Sequence, residues 1–197
     1  GWWPDPCLQT HKAYGIADSA SSVWVTVFAP PETPAGVYVG SITLTPEAGA
    51  GFTVPINVTV FGFSLPVVPA LQTAFDLSEA RLGKAYGGNK TSTHATFFEW
   101  GKWLLTHFSL NPGTIYAEPM PFSVPELVEL RKIGLNSINV FKAPGSVEEA
   151  EILVNETAGY MAEMAAENLT SIATVYGFDE SDAMSNLTQV FALFKAK

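Results

Sequence analysis

The chain has 197 residues, 47% of them hydrophobic and 15% charged, with a net charge of −9. That is enough apolar material to bury the core of one or two domains, and the composition is not that of a disordered chain. There is no Lys/Arg cluster, which excludes nucleic acid and anionic membrane surfaces as expected partners.

Taken in order, the chain opens Gly-Trp-Trp-Pro with neither Met nor signal peptide, so it is expected to be mature, trimmed or fragmentary. Cys7, the single cysteine, is read as a small apolar filler; no internal disulfide or thiolate metal cluster is possible. Residues 1–66 read as β structure. Val23-Trp24-Val25-Thr26-Val27-Phe28 is β-branched and aromatic, and a Pro-rich breaker ending at Gly36 follows. Val37 to Leu44 is a second strand. Phe52, Val54, Ile56, Val58 and Val60 then alternate with Thr53, Pro55, Asn57, Thr59 and Phe61, the period of two of a half-buried strand. Pro55 marks an edge or a bulge. These strands predict an antiparallel β-sandwich. The longest apolar stretch, Phe52 to Leu71, holds Pro55, Asn57, Pro66 and Pro69, so no membrane span is expected.

From residue 67 to 197 the pattern changes to alternating strands and helices. Leu71 to Phe75 is a strand candidate, Gly83 to Thr93 a Gly- and Thr-rich loop, and Ala95 to Phe108 a helix. Thr114 to Ala117 is a second short strand. Ser123-Val124-Pro125-Glu126 and Ser146-Val147-Glu148-Glu149 are capping boxes opening two further helices, the first closed by Gly134. The second helix turns Ala150, Leu153, Thr157, Tyr160, Met161 and Met164 inward. Asn136 to Phe141 and Ser171 to Tyr176 are the third and fourth strands. A last helix from about Asp182 buries Leu187, Val190, Phe191 and Phe194. Four such βα units predict a parallel sheet, either doubly wound or the first four units of a (β/α)8 TIM-like barrel. A whole barrel takes about 250 residues, so this one would be incomplete.

The charged groups at the strand ends are Asp76, Glu118, Lys142 and the adjacent pair Asp179-Glu180. The pair follows an apolar strand directly, where parallel α/β folds carry chemistry. Its plainer explanation is an acidic helix start, with Asp182 completing the favourable charge at a helix N-terminus. His11, His94 and His107 are scattered without metal-ligand spacing, and His107 sits where a helix end explains it. No dinucleotide fingerprint, Walker loop or nucleophile elbow is present, and no cofactor is expected. Trp100 and Trp103 are expected to pack within their helix. Of eight Asn, five stand in N-x-Thr: Asn57, Asn89, Asn155, Asn168 and Asn186. About one such match is expected by chance, so N-glycosylation and a secreted or extracellular protein are expected.

Several of these segments together resemble glycoside hydrolase family 123. They are Trp3-Pro4-Asp5-Pro6, Trp24-Val25-Thr26-Val27, Pro34-Ala35-Gly36-Val37-Tyr38-Val39-Gly40, Phe63-Ser64-Leu65-Pro66 and Tyr176-Gly177-Phe178-Asp179-Glu180, in that order. The resemblance implies a β-sandwich followed by a catalytic barrel whose C-terminal half is missing here. It also implies retaining, substrate-assisted cleavage of terminal N-acetyl-β-hexosaminides, N-acetylgalactosaminides first among them. Glu180 would be the general acid, and ionised Asp179 would accept the acetamido N–H. The carbohydrate is then the expected partner, and the isolated chain is expected to show little or no turnover. The competing expectation is a non-enzymatic secreted protein that binds a glycan or another protein.

Overall fold

The computed structural model describes residues 23–113, 120–180, 182 and 184–195. The chain divides into two compact units, residues 1–65 and 66–197.

In the first unit β1 (Gly36–Leu44) and β2 (Phe52–Val60) form one antiparallel hairpin, paired from Gly36↔Val60 to Leu44↔Phe52. The register puts Tyr38, Ile42 and Leu44 on one face with Val54, Ile56, Val58 and Val60, as the alternation predicts. Asn57 lies on the other face opposite Val39, the face that also carries the hydroxyl pair Thr43–Thr53 at 3.0 Å. Both strands are edges, which is where Pro55 is tolerated. The expected β-sandwich is not present among the described residues. Among those residues Val23–Phe28 has strand composition but forms no ladder, and β1 and β2 pair only with each other. β-propensity describes fit to a half-buried pleated surface, and without a second layer Val37 and Val39 stay 67% and 78% exposed.

The second unit is a small mixed α/β arrangement. β3 (Phe75–Asp76) pairs in parallel with β4 (Pro112–Gly113), and β5 (Ile138–Ala143) in parallel with β6 (Ala173–Gly177). Between and after them run α1 (Glu79–Tyr86), α2 (Lys90–Phe108), α3 (Val124–Lys132), α4 (Val147–Ala166) and α5 (Leu187–Lys195). The expected half of a (β/α)8 barrel is therefore corrected. The strands pair only two by two, β3 and β4 are two residues long, and no backbone ladder joins β4 to β5 among the described residues. The strand expected over 114–117 lies outside the described residues.

Local chemistry explains the helix boundaries. The segment expected as a loop, Gly83 to Thr93, holds the end of α1 and the start of α2. Ser78 caps α1 by accepting from the Arg81 N–H, and Asn89 caps α2 by accepting from the Ser92 N–H at 2.9 Å. Ahead of α3, Glu126 reaches back to the Ser123 N–H (2.8 Å) and hydroxyl (2.7 Å). Ser146 accepts from the Glu149 N–H to open α4. Gly134 stops α3 with φ of 118°, and a Cβ there would lie 2.5 Å from the Val67 carbonyl oxygen.

Helices α2, α3 and α4 turn Phe97, Leu105, Leu127, Leu130 and Met164 onto β5, where Ile138 and Val140 are almost fully buried. Full burial of each such side chain contributes about 1.5–3 kcal/mol. Phe122 stacks on Phe97 with centroids 4.6 Å apart, and Gly101 lets α2 close on Phe122 and Pro112.

Where a strand ladder is lacking, a buried amide cluster joins the pairs. Asn111, just before β4, donates from Nδ2 to the Asn136 Oδ1 at 2.7 Å and to the Thr73 carbonyl at 3.2 Å. Asn136, just before β5, returns a bond from its backbone N–H to the Asn111 Oδ1 at 3.0 Å. Its Nδ2 donates to the carbonyls of Pro69 and Leu71. The amino ends of β3, β4 and β5 are thereby held together by side chains. Asn136→Ala strands several buried partners at about 1–3 kcal/mol each, so urea unfolding followed by Trp fluorescence should lose about 2–4 kcal/mol. Gly134→Ala should also destabilise, by about 1–3 kcal/mol, because neither its φ nor the Val67 carbonyl admits a side chain.

Candidate functional site

Strand β6 ends at Gly177, and the turn after it carries Phe178, Asp179 and Glu180. Gly177 pairs with Ala143, so closely that a Cβ on Gly177 would lie 2.6 Å from the Ala143 Cβ and 2.8 Å from its carbonyl oxygen. The end of β6 is thus pressed onto β5. Beyond it, Phe178 and Glu180 both take left-handed backbone, with φ of 60° and 48°. Non-glycine residues rarely adopt this region, and a fold retains it where other contacts over-determine the turn. One of those contacts is the Phe178 ring, which packs against Phe191 of α5 with centroids 5.9 Å apart. Asp179 and Glu180, the two residues that follow this anchor, are exposed.

The β5–β6 register brings Lys142 directly opposite Tyr176, at the same end as the acid pair. Lys142 is exposed and Tyr176 half-buried. Asp76 belongs to the other strand pair and is held by Arg81 at 2.9 Å, so the structure does not join it to Asp179 and Glu180. Glu118 lies outside the described residues, as do His11, Cys7, Trp2 and Trp3. The ladder irregularity between Asn139 and Phe141 falls at Val140, whose carbonyl accepts the Met120 N–H at 2.7 Å.

The sequons meet varied surroundings. Asn57, Asn89, Asn155 and Asn168 are exposed, whereas Asn186 is half-buried and donates to the Gly145 carbonyl at 2.9 Å. Asn89 is also the cap of α2, and Asn168 takes left-handed backbone (φ 56°) just past α4. Three of the five therefore have a structural use besides any glycan. Trp100 and Trp103 meet edge-on at 5.1 Å along α2, and Trp103 stacks on His107 in the last turn.

A second cluster is illegible in the sequence. His94 of α2 lies between two carboxylates, with Nδ1 2.9 Å from Glu79 Oε2 on α1 and Nε2 3.0 Å from Glu126 Oε1 on α3. The partners are 15 and 32 residues away, and no periodicity links them. Glu126 stands out in the sequence only as part of a capping box. Burial opposes the charge of Glu126, yet the Ser123 hydroxyl and N–H, with His94, hold its carboxyl below the usual range. Tyr160 of α4 donates to the Phe122 carbonyl at 2.8 Å, and burial pushes its phenol well up. No group of three or more His, Cys, Asp or Glu is arranged to hold a metal among the described residues. A groove of about 420 Å³ between α3 and α4, lined by Val124, Pro125, Val128, Glu163, Ala166 and Glu167, shares no residue with the turn after β6.

No described helix is long and apolar enough to cross a membrane. Comparison with protein-family models, with curated proteins and with solved structures gives no match to this chain.

The contact between Gly177 and Ala143 makes a direct prediction. Gly177→Ala must part the ends of β5 and β6, and should cost about 1–3 kcal/mol in chemical unfolding. Protection of the amides in 173–180 against hydrogen exchange should fall with it.

Proposed function

We propose that Asp179 and Glu180 are the acid pair of a glycoside-cleaving site. The reaction proposed is retaining, substrate-assisted cleavage of terminal N-acetyl-β-hexosaminides, N-acetylgalactosaminides above others. The supporting observation is the backbone after β6: left-handed φ at Phe178 and at Glu180, with Asp179 between them. Such conformations cost of order 1–3 kcal/mol each and gather where a fold aims particular side chains. Two adjacent carboxyls carried on unlike backbone conformations suit two different roles on one sugar.

In that reading the glycosidic oxygen takes the proton of Glu180 as its bond to C1 breaks. The substrate's acetamido oxygen forms the new bond to C1, and ionised Asp179 accepts the acetamido N–H and supports the cation. Water then bonds to C1 as the bond from C1 to the acetamido oxygen breaks, and its proton goes to the Glu180 carboxylate, restoring the acid. Both residues are exposed on this chain, so further surface must cover the sugar to exclude water, and the isolated chain should turn over little or nothing. A secretory route belongs to the same reading, supported by the five N-x-Thr sites.

A second reading rests on the first unit. Trp24, Phe28 and Val39 are 79%, 77% and 78% exposed, a surface suited to association with a glycan or another protein without catalysis.

The deciding measurement is hydrolysis of an aryl N-acetyl-β-galactosaminide by the longest natural polypeptide that contains this sequence. Glu180→Gln should lower kcat by about two to four orders of magnitude, and Asp179→Asn should also lower it. A Glu180→Gln rate within a few-fold of the parent overturns the assignment, and a parent with no hydrolysis leaves the binding reading.

A further inference from the structure

The cluster around His94 is independent of the acid pair. A histidine that moves protons for a substrate keeps one ring nitrogen free to reach it; here each nitrogen is engaged by a carboxylate. What the cluster does is join three helices, α1 through Glu79, α2 through His94 and α3 through Glu126.

The two attachments are unequal. Glu126 is fixed twice over, since its Oε2 accepts from the Ser123 N–H and hydroxyl while Oε1 faces His94. Its helix is rooted in the core by Val124, Leu127 and Leu130, all at 5% exposure or less. Helix α1 has no buried residue; Leu82 is its partial contact with the core, and Gly83 rests on Thr93. It is eight residues long and joined to α2 through Gly87 and Gly88, both with positive φ. At its other end Ser78 and the exposed Asp76–Arg81 pair hold the first turn, and the Leu77 N–H just before it bonds the Gly113 carbonyl at 3.3 Å, so the middle of α1 is its least anchored part.

Charge decides when the bridge holds. Doubly protonated imidazole donates to both carboxylates, whereas the neutral ring has one N–H and presents a lone pair to the second carboxylate. One bond must then give way, and the unequal anchoring selects the Glu79 bond. We propose that α1 is a pH-gated flap: protonated His94 clamps Glu79 to Glu126, and loss of that proton frees α1 to lift between its tether at β3 and the Gly87–Gly88 link while α3 stays docked.

The groups that face the imidazole support the direction. The hydrogen bond that the protonated imidazole donates to Glu79 is the largest influence raising the His94 pKa above its ordinary value; partial burial opposes it, and Glu126 adds to it. On α4, Tyr160 feels Glu126 and Glu163, but neither Tyr160 nor Glu163 acts on the imidazole. Because the folded-state pKa is raised, the clamp's contribution is complete below the unfolded value of about 6.5 and is lost as pH rises through the folded value.

The test is hydrogen exchange on the whole chain, with each rate divided by the intrinsic rate at the same pH. Between about pH 5.5 and about pH 9 the protection of residues 79–86 should fall about tenfold, while that of 124–132 stays level. Glu79→Gln, at a half-exposed position where folding is not at stake, should give the low protection of α1 at both pH values, and His94→Gln should do the same. Protection of α1 that is level across the range, or that falls together with that of α3, overturns the flap. So does a Glu79→Gln chain that retains the pH response.

Discussion

The Asn111–Asn136 amide pair is the interaction on which the second unit depends. Among the described residues, backbone ladders join strands there two by two, β3 to β4 and β5 to β6, and go no further. The side-chain amides bridge the gap between the pairs, drawing in Thr73, Pro69 and Leu71 so that the chain before β3 is fixed as well. Asn111 and Asn136 are 0% and 7% exposed. At that depth each unmade hydrogen bond is costly, so the amides have few acceptable arrangements. A network that is fully made specifies register as well as adding stability.

Consequences run from that cluster to the far ends of the strands. With the amino ends held, β5 lies between α3 and α4 and buries Ile138 and Val140, and β6 follows it in parallel. The carboxyl end of β6 is then pinned by the Gly177–Ala143 contact and by Phe178 on Phe191, which leaves Asp179 and Glu180 outside the core. The same organisation brings the first turns of α1 and α3 against α2, where Glu79, His94 and Glu126 meet. The turn after β6 is held by packing against the cost of its left-handed backbone. The helix bridge is held by charge, and so responds to pH. These are two kinds of device in one small unit.

Much of the local structure was legible in the residues. Ser123 and Ser146, each three residues ahead of a Glu, announce α3 and α4. Gly134 announces the stop, and the stripe Ala150, Thr157, Met164 marks the buried side of α4. The alternation Phe52 to Val60 gives the inner and outer faces of β2. Two local expectations give way for local reasons: Ser78 and Asn89 are helix caps, so Gly83 to Thr93 holds two helix ends, and Val23–Phe28 has the composition of a strand but no ladder partner among the described residues. The sandwich and the partial barrel failed at a different level. Pattern can nominate strands, yet whether ladders continue from one pair to the next depends on contacts between distant segments.

What the sequence by itself determined is the set of helices after residue 123, the faces they bury and the adjacent acids at the end of the last strand. These follow from capping chemistry and from periods of 3.6 and 2, which act over a few neighbouring residues. What only the tertiary structure decided is where the ladders stop, the amide bridge that replaces them, the left-handed turn around Asp179 and the union of Glu79, His94 and Glu126. Each joins groups far apart in the chain or depends on how closely two backbones approach, and neither quantity is written in local residue order.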